Sequence, residues 1–240
     1  MEIIVNGRAF AAPHIEGDTW LSNPRRAPHV TDGNAREPDE AVAMLWHTTS
    51  GRLATTLQAE GIPSTDAEKL AHYQTRTPRK VSWPFTADTD GTVLQQADPE
   101  LWTCWHAGWA NSWTVGAELV QRADAPRVLT APQIRAAADL TEILCDAMGI
   151  RRAVLVDANG APWLKPVRQL LSQRATDKAG RLLRGLGQSW SGVIGHCHVA
   201  PSHHRGPGDP GPLVFVELLR RGFAACEVHA DGTIADGAAV

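Results

Sequence analysis

The stretch from residue 41 to residue 49, AVAMLWHTT, constrains the fold more than any other part of the sequence. It is a nearly continuous apolar run that ends in a polar cluster, which is typical of a β-strand buried on both faces. A chain of 240 residues is long enough for one sizeable hydrophobic core. We therefore predict a single domain around a covered sheet, with His47 near the C-terminal end of this strand.

Strand and helix patterns alternate along the rest of the chain. The segments WTVGAELV (113–120), AVLVDA (153–158) and SGVIG (191–195) predict further strands. Between the first two, Thr130 begins a capping box with a proline in the first turn, and helical spacing continues to Gly149. The predicted fold class is α/β, with a central mixed β-sheet flanked by helices.

The remaining segments give a predicted division of the chain. Residues 1–40 are expected to form an N-terminal hairpin around Asn6-Gly7 followed by an irregular arm rich in Pro, Gly, Asn and Asp. Residues 41–222 form the predicted main domain, with an insertion at about 151–190 that carries a basic helical face, and 223–240 form a C-terminal tail.

Composition limits the partners. The net charge of −3 and the charged fraction of 20% give no overall attraction to nucleic acid or to an anionic membrane. No stretch approaches the roughly 18 apolar residues that span a bilayer, and the N-terminus lacks the pattern of a signal peptide. We expect a monomer that is cytoplasmic as synthesised, does not insert into membranes, and keeps its four cysteines reduced because they show no CxxC spacing.

The run from residue 195 to 211 contains four histidines, one cysteine and one aspartate. A catalytic zinc ion uses three protein ligands and keeps one position open for water. His47, a histidine at the end of the SGVIG strand and an acid in the following loop would provide two imidazoles and one carboxylate. Alternatively, His196 and His198 could act as an HxH ligand pair of an unrelated metallohydrolase.

Glu118 is the single acid inside the apolar run WTVGAELV. A carboxylate is costly to bury unless it is paired or functional, so the alternatives are a satisfied core acid and a general base. Beside a metal ion that activates water and polarises a carbonyl, such a base would suit amide hydrolysis. The nine tryptophans suit either sugar rings or core filling.

Three blocks of sequence resemble the zinc-dependent N-acetylmuramoyl-L-alanine amidases of the type-2 class. This family shares its fold with peptidoglycan recognition proteins and includes phage lysins. The blocks match in order and rough spacing over residues 41–221. They are LWHTT at 45–49, WHAG at 105–108 with Asn111 and VGAEL at 115–119, and GH at 195–196 with VAP at 199–201 and DPGP at 209–212.

The resemblance implies one Zn²⁺ ion and cleavage of the amide between N-acetylmuramic acid and L-alanine of the stem peptide, in peptidoglycan or in soluble muropeptides. It also implies roles for residues at matching positions. His47, His196 and Asp209 resemble the metal ligands, Glu118 resembles the catalytic acid, and Trp105, His106 and Asn111 fall in the segment that lines the substrate groove.

The sequence departs from the family pattern beside Asp209. Many relatives carry a lysine two residues before this aspartate, where it stabilises the oxyanion, whereas this chain has Pro207. Losing such a donor can cost about 2.7 to 4 kcal/mol of transition-state stabilisation. We therefore expect Arg205, the nearest cation, to replace the lysine. The loop is also longer than usual, so that His203 or His204 could reach the metal instead of Asp209.

Two alternatives stay open at this point. The first is a catalytically impaired peptidoglycan-binding module of the same fold. The second concerns the setting, which is either a phage lysin released to the periplasm or cell wall, or a cytosolic recycling enzyme acting on soluble muropeptides.

Overall fold

The structure, a computed structural model, describes residues 1–19, 36, 41–49, 66–79, 81–121, 128–172, 190–199 and 209–235. The strands are β1 (Glu2–Val5), β2 (Arg8–Ala11), β3 (Gly17–Thr19), β4 (Ala43–Thr48), β5 (Phe85–Ala87), β6 (Val93–Gln95), β7 (Thr114–Leu119), β8 (Ala153–Val156), β9 (Gly192–Gly195) and β10 (Ala224–Glu227). The helices are α1 (Asp66–Arg76), α2 (Ala131–Met148), α3 (Arg168–Ser172), α4 (His196–Val199) and α5 (Leu213–Arg220), with a 3₁₀ turn at Gly108–Ala110.

Eight of the strands in the described residues form one mixed sheet in the order β10-β8-β9-β4-β7-β5-β6-β3. All neighbouring pairs are parallel except β5 and β6, which form an antiparallel hairpin. Strand β4 lies in the interior with parallel partners on both sides, which explains its apolar sequence. The predicted fold class is confirmed.

The side chains of β4 alternate between the two faces of the sheet. On one face, Trp46 packs in a core cluster with α2 and α5, and its indole Nε1 donates a hydrogen bond to Thr141 Oγ1 at 3.1 Å. On the other face, Ala43 and Leu45 pack against a second cluster that includes Trp113. His47 is the next residue on this second face, so the alternation places it at the C-terminal edge of the sheet.

Helix α2 begins and ends where the sequence predicts. Thr130 Oγ1 accepts a hydrogen bond from Gln133 N at 3.2 Å, which caps the N-terminus. Gly149 terminates the helix in the left-handed conformation at φ 64°. The predicted hairpin at the N-terminus is also confirmed, because β1 and β2 pair antiparallel around Asn6 and Gly7, both with positive φ.

Several details differ from the sequence predictions. The arm is not irregular at residues 17–19, because β3 pairs with β6 at the edge of the sheet. Strand β10 lies in the predicted tail and pairs with β8, which lies in the predicted insertion. The division of the chain into domains stays a prediction.

Two expectations from composition can be compared with the structure. All four cysteines are free, as expected, and all four are buried. In the part of the chain that the structure describes, no helix has the length and apolar character needed to cross a membrane.

Candidate metal centre

The candidate site lies where three neighbouring parallel strands end. His47 of β4 is in register with Glu118 of β7. On the other side of β4, Trp46 is in register with Gly195, the last residue of β9, and His196 follows directly at the start of α4. Because parallel strands present their carboxyl ends at the same edge, residues far apart in the sequence meet here. The register alone therefore brings His196, His47 and Glu118 side by side.

Asp209 completes a cluster with the two histidines. Asp209 Oδ2 lies 3.5 Å from His196 Nδ1 and 3.7 Å from His47 Nδ1. The two imidazole rings are 4.3 Å apart between centroids. One ligand atom from each of the three residues lies within 4.8 Å of the others. The structure therefore brings together the three residues that the sequence nominated as metal ligands.

The cluster fits the requirements of a zinc site. Ligand atoms at about 2.0 to 2.2 Å from a tetrahedral zinc ion are separated from one another by roughly 3.3 to 3.6 Å. The two nitrogen-to-oxygen distances at Asp209 are close to this separation. Two imidazoles and one carboxylate form a donor set that zinc accepts while keeping one position open. His47, His196 and Asp209 could therefore hold the ion.

Asp209 is oriented by a residue that the sequence analysis left without a role. Its Oδ1 accepts hydrogen bonds from Thr48 N at 2.6 Å and from Thr48 Oγ1 at 2.8 Å. This leaves Oδ2 directed at the two histidines. Thr48 belongs to the HTT motif, but its function depends on a residue 161 positions later in the chain. A sequence pattern alone gives no indication of that contact.

The backbone of Asp209 comes close to the end of strand β9. Asp209 O accepts a hydrogen bond from Cys197 N at 3.1 Å. A Cβ atom on Gly195 would lie only 2.6 Å from the same carbonyl oxygen. Glycine is therefore required at position 195 for the carboxylate to reach the histidines.

The cluster holds Asp209 in its anionic form. Burial by itself would raise the pKa of this carboxyl group, but the adjacent His196 and His47 imidazoles more than offset that effect and place its pKa below the ordinary value. An anionic carboxylate is the form that binds a metal ion.

Glu118 has the opposite electrostatic character. Burial, followed by the nearby negative charge of Asp209, raises the pKa of Glu118 well above its usual range. Its Oε2 atom is buried and has no hydrogen-bond partner among the described residues. Such an atom is costly unless a ligand or reactant uses it, and a base with a raised pKa suits proton transfer near neutral pH. The prediction of a satisfied core acid is not supported.

His106 lies against His47 at the back of the site. Its Nδ1 atom is 3.3 Å from His47 Nε2, and the two rings meet edge to face with centroids 5.5 Å apart. Burial, together with the positive charge that His47 and Arg36 can carry, lowers the pKa of His106 well below its usual value. The ring is therefore neutral at physiological pH.

The other two predicted groove residues differ in exposure. Trp105 is 36% exposed, so its indole is accessible at the surface. Asn111 is buried, and its Oδ1 accepts hydrogen bonds from His106 N at 3.0 Å and Ala107 N at 2.6 Å. Asn111 thus fixes the backbone that carries His106. Direct contact of either residue with substrate stays a prediction.

The alternative HxH pair does not form. Both ring nitrogens of His198 are already used, since Nδ1 accepts a hydrogen bond from Gly195 N at 3.0 Å and Nε2 donates to Trp163 O. His198 therefore supports the chain between β9 and α4 instead of facing the metal cluster. Four other residues of the sequence analysis lie outside the described residues, namely Arg205, Pro207, His203 and His204.

Comparison with known proteins identifies the class. The family described as N-acetylmuramoyl-L-alanine amidase (Amidase_2) matches residues 41–212, which is more than half of the chain. The chain therefore belongs to the N-acetylmuramoyl-L-alanine amidase family, and the predicted function as a peptidoglycan hydrolase is confirmed at this level. None of the curated proteins matches the sequence.

Solved structures similar to this chain include a selenomethionine derivative of AmpD, at 18% identity and a TM-score of 0.45, covering 86% of this chain and 94% of that one. Drosophila peptidoglycan recognition protein SA is 14% identical with a TM-score of 0.42, covering 79% and 98%. The endolysin amidase LysCS from Clostridium intestinale URNW is 13% identical with a TM-score of 0.40, covering 80% and 91%.

Proposed function

We propose that the chain is a zinc-dependent N-acetylmuramoyl-L-alanine amidase. It hydrolyses the amide between the lactyl group of N-acetylmuramic acid and L-alanine of the stem peptide. The observation that carries the proposal is the cluster of His47, His196 and Asp209 beside the buried, unpartnered Oε2 of Glu118. Within an amidase family, this arrangement provides a metal site and a base at one edge of the sheet.

The chain's own residues have separate roles in the proposed reaction. A zinc ion bound by His47, His196 and Asp209 would supply Lewis acidity, lowering the pKa of water and polarising the scissile carbonyl. Glu118 accepts the proton of the attacking water and then delivers it to the amide nitrogen as the carbon–nitrogen bond breaks. The products are the lactyl carboxylic acid and the free amine of L-alanine.

Substrate binding is proposed for the segment beside the metal cluster. The exposed indole of Trp105 provides an amphipathic surface for a sugar ring or a peptide. Asn111 holds the backbone of this segment in place, and Arg205 is proposed to donate to the oxyanion in place of the family lysine. The natural substrate is either the insoluble wall, if the protein is a lysin released to it, or soluble muropeptides in the cytoplasm.

Replacement of Glu118 by glutamine tests the proposal. We expect E118Q to release at least about 100-fold less stem peptide from purified peptidoglycan, measured by mass spectrometry, because general acid–base catalysis contributes about 10²- to 10⁴-fold. Zinc content should stay unchanged, since Glu118 is not among the proposed ligands. E227Q is the matched control, because Glu227 is an exposed acid on the edge strand β10.

Other outcomes of this experiment are also informative. If E118Q retains the activity of the wild type, Glu118 is not the base. If the wild type binds peptidoglycan but releases no peptide, the impaired binding module replaces the enzyme as the better description. Parallel assays on intact sacculi and on soluble muropeptides separate the two proposed settings.

A further inference from the structure

The contact between His47 and His106 determines which nitrogen of His47 faces the metal cluster. Its Nδ1 atom is directed at Asp209 Oδ2, while its Nε2 atom is directed at His106 Nδ1, 3.3 Å away. A neutral imidazole carries one N–H and one bare nitrogen, and only a bare nitrogen binds a metal ion. The position of one hydrogen atom on His47 therefore decides whether the site can assemble.

Thr114 fixes the hydrogen on His106. The Thr114 hydroxyl donates to Ala110 O at 2.7 Å, so its hydrogen is already used. His106 Nε2 lies 3.3 Å from this hydroxyl oxygen and 3.4 Å from Thr114 O. Both atoms can act only as acceptors toward the ring. The ring therefore donates through Nε2, and its Nδ1 is left as the bare acceptor nitrogen.

A bare Nδ1 on His106 requires a donor on His47. The contact between the two rings is then His47 Nε2–H donating to His106 Nδ1. It follows that the bare nitrogen of His47 is Nδ1, the atom that faces Asp209. The hydrogen bonds run in one direction, from His47 through His106 and Thr114 to Ala110 O.

The surrounding chain holds the His106 ring in this position. A Cβ atom on Gly116 would lie 2.4 to 2.7 Å from three atoms of the ring, so only glycine at this place in β7 lets the ring lie against the strand. Asn111 Oδ1 accepts from the backbone N–H groups of His106 and Ala107. The buried Arg36 guanidinium donates to the carbonyls of Ser112 and Thr114 and fixes the end of the loop.

We propose that His106 is a positioning residue that sets the tautomer of His47, so that His47 binds the metal through Nδ1. The family resemblance by itself implies a place for His106 in the substrate groove. The inference rests on the proposed function, because it concerns the same metal site. In this view His106 and Gly116 serve the metal rather than the substrate.

The test compares two replacements of His106. H106L removes the nitrogen that accepts the hydrogen bond from His47 Nε2. H106N restores an acceptor, because its amide oxygen lies near the position of Nδ1. We expect the zinc dissociation constant, measured by competition with a chromogenic chelator, to rise about 10- to 100-fold in H106L, as for other partners of metal-bound histidines. H106N should recover most of this loss.

A role in substrate binding would give a different result. In that case H106L would raise KM and leave zinc affinity unchanged, which would overturn this inference while leaving the proposed amidase intact. If the wild-type protein itself binds no zinc, the proposed function fails, and the tautomer is still decided by a second measurement. Long-range ¹H–¹⁵N NMR on the zinc-free wild type should show the His47 hydrogen on Nε2. A hydrogen on Nδ1 would contradict the proposal.

Discussion

Replacing His198 by glutamine should change how the stability of the protein depends on pH. His198 is 1% exposed and has both ring nitrogens in hydrogen bonds with backbone groups. Burial lowers the pKa of His198 to about 4. In the unfolded chain the same group titrates at about 6.5. Folding therefore becomes less favourable as the pH falls below about 6.5, because only the unfolded chain takes up the proton.

The size of the effect follows from the difference between the two pKa values. Each pKa unit corresponds to about 1.4 kcal/mol, so the full difference amounts to roughly 3 kcal/mol below about pH 4. At about pH 5 the expected loss is about 2 kcal/mol, and above about pH 7.5 it is close to zero. The stability contributed by the neutral, buried ring is thus present above the unfolded pKa and is lost between about pH 6.5 and pH 4.

Urea unfolding at about pH 7.5 and about pH 5, with a chelator present, measures this contribution. Glutamine does not titrate, and its side-chain amide can still donate to Trp163 O. The carboxylates and the other histidines titrate in both proteins, so their effects cancel in the comparison. We expect the wild type to lose about 2 kcal/mol more than H198Q between the two pH values. Equal losses would show that His198 is not held neutral by burial.

Three further substitutions test the fold and its link to the site. G149A should cost about 1 kcal/mol of unfolding free energy and leave zinc affinity unchanged, because φ is 64° and no atom lies within 4 Å of the added Cβ. G195A should weaken zinc binding in the chelator assay, because its Cβ would be 2.6 Å from Asp209 O. W46F should lower the free energy of unfolding, measured in urea, by roughly 1 to 3 kcal/mol, because it removes the hydrogen bond to Thr141 and some buried volume.

Features encoded by neighbouring residues were predicted well from the sequence. The limits of α2 follow from local features. Thr130 caps the N-terminus by accepting a hydrogen bond from Gln133 N, and Gly149 ends the helix through its left-handed backbone conformation. Strands β4 and β7 were predicted because burial on both faces requires a continuous apolar run. The metal cluster was predicted from His47 near the end of β4, His196 directly after β9 and the resemblance of Asp209 to a family ligand.

Features that depend on distant residues were not predicted. The edge strands β3 and β10 contain three and four residues and gain their regular structure from pairing with β6 and β8. The role of Thr48 depends on Asp209, and the contact of His106 with His47 depends on Gly116 in a neighbouring strand. Four of the described tryptophans, Trp46, Trp83, Trp113 and Trp190, proved to be buried core residues, whereas Trp105 is exposed. Composition could not separate these two uses.

X-ray absorption spectroscopy at the zinc edge tests the central claim most directly. For the zinc-loaded protein we predict two imidazole nitrogens and a carboxylate oxygen at about 2.0 to 2.2 Å, with a further light-atom ligand in the open position. The spectrum of a D209A variant should lose the carboxylate contribution. A sulfur ligand at about 2.3 Å, or a third imidazole in the wild type, would contradict the assignment of His47, His196 and Asp209 as the ligand set.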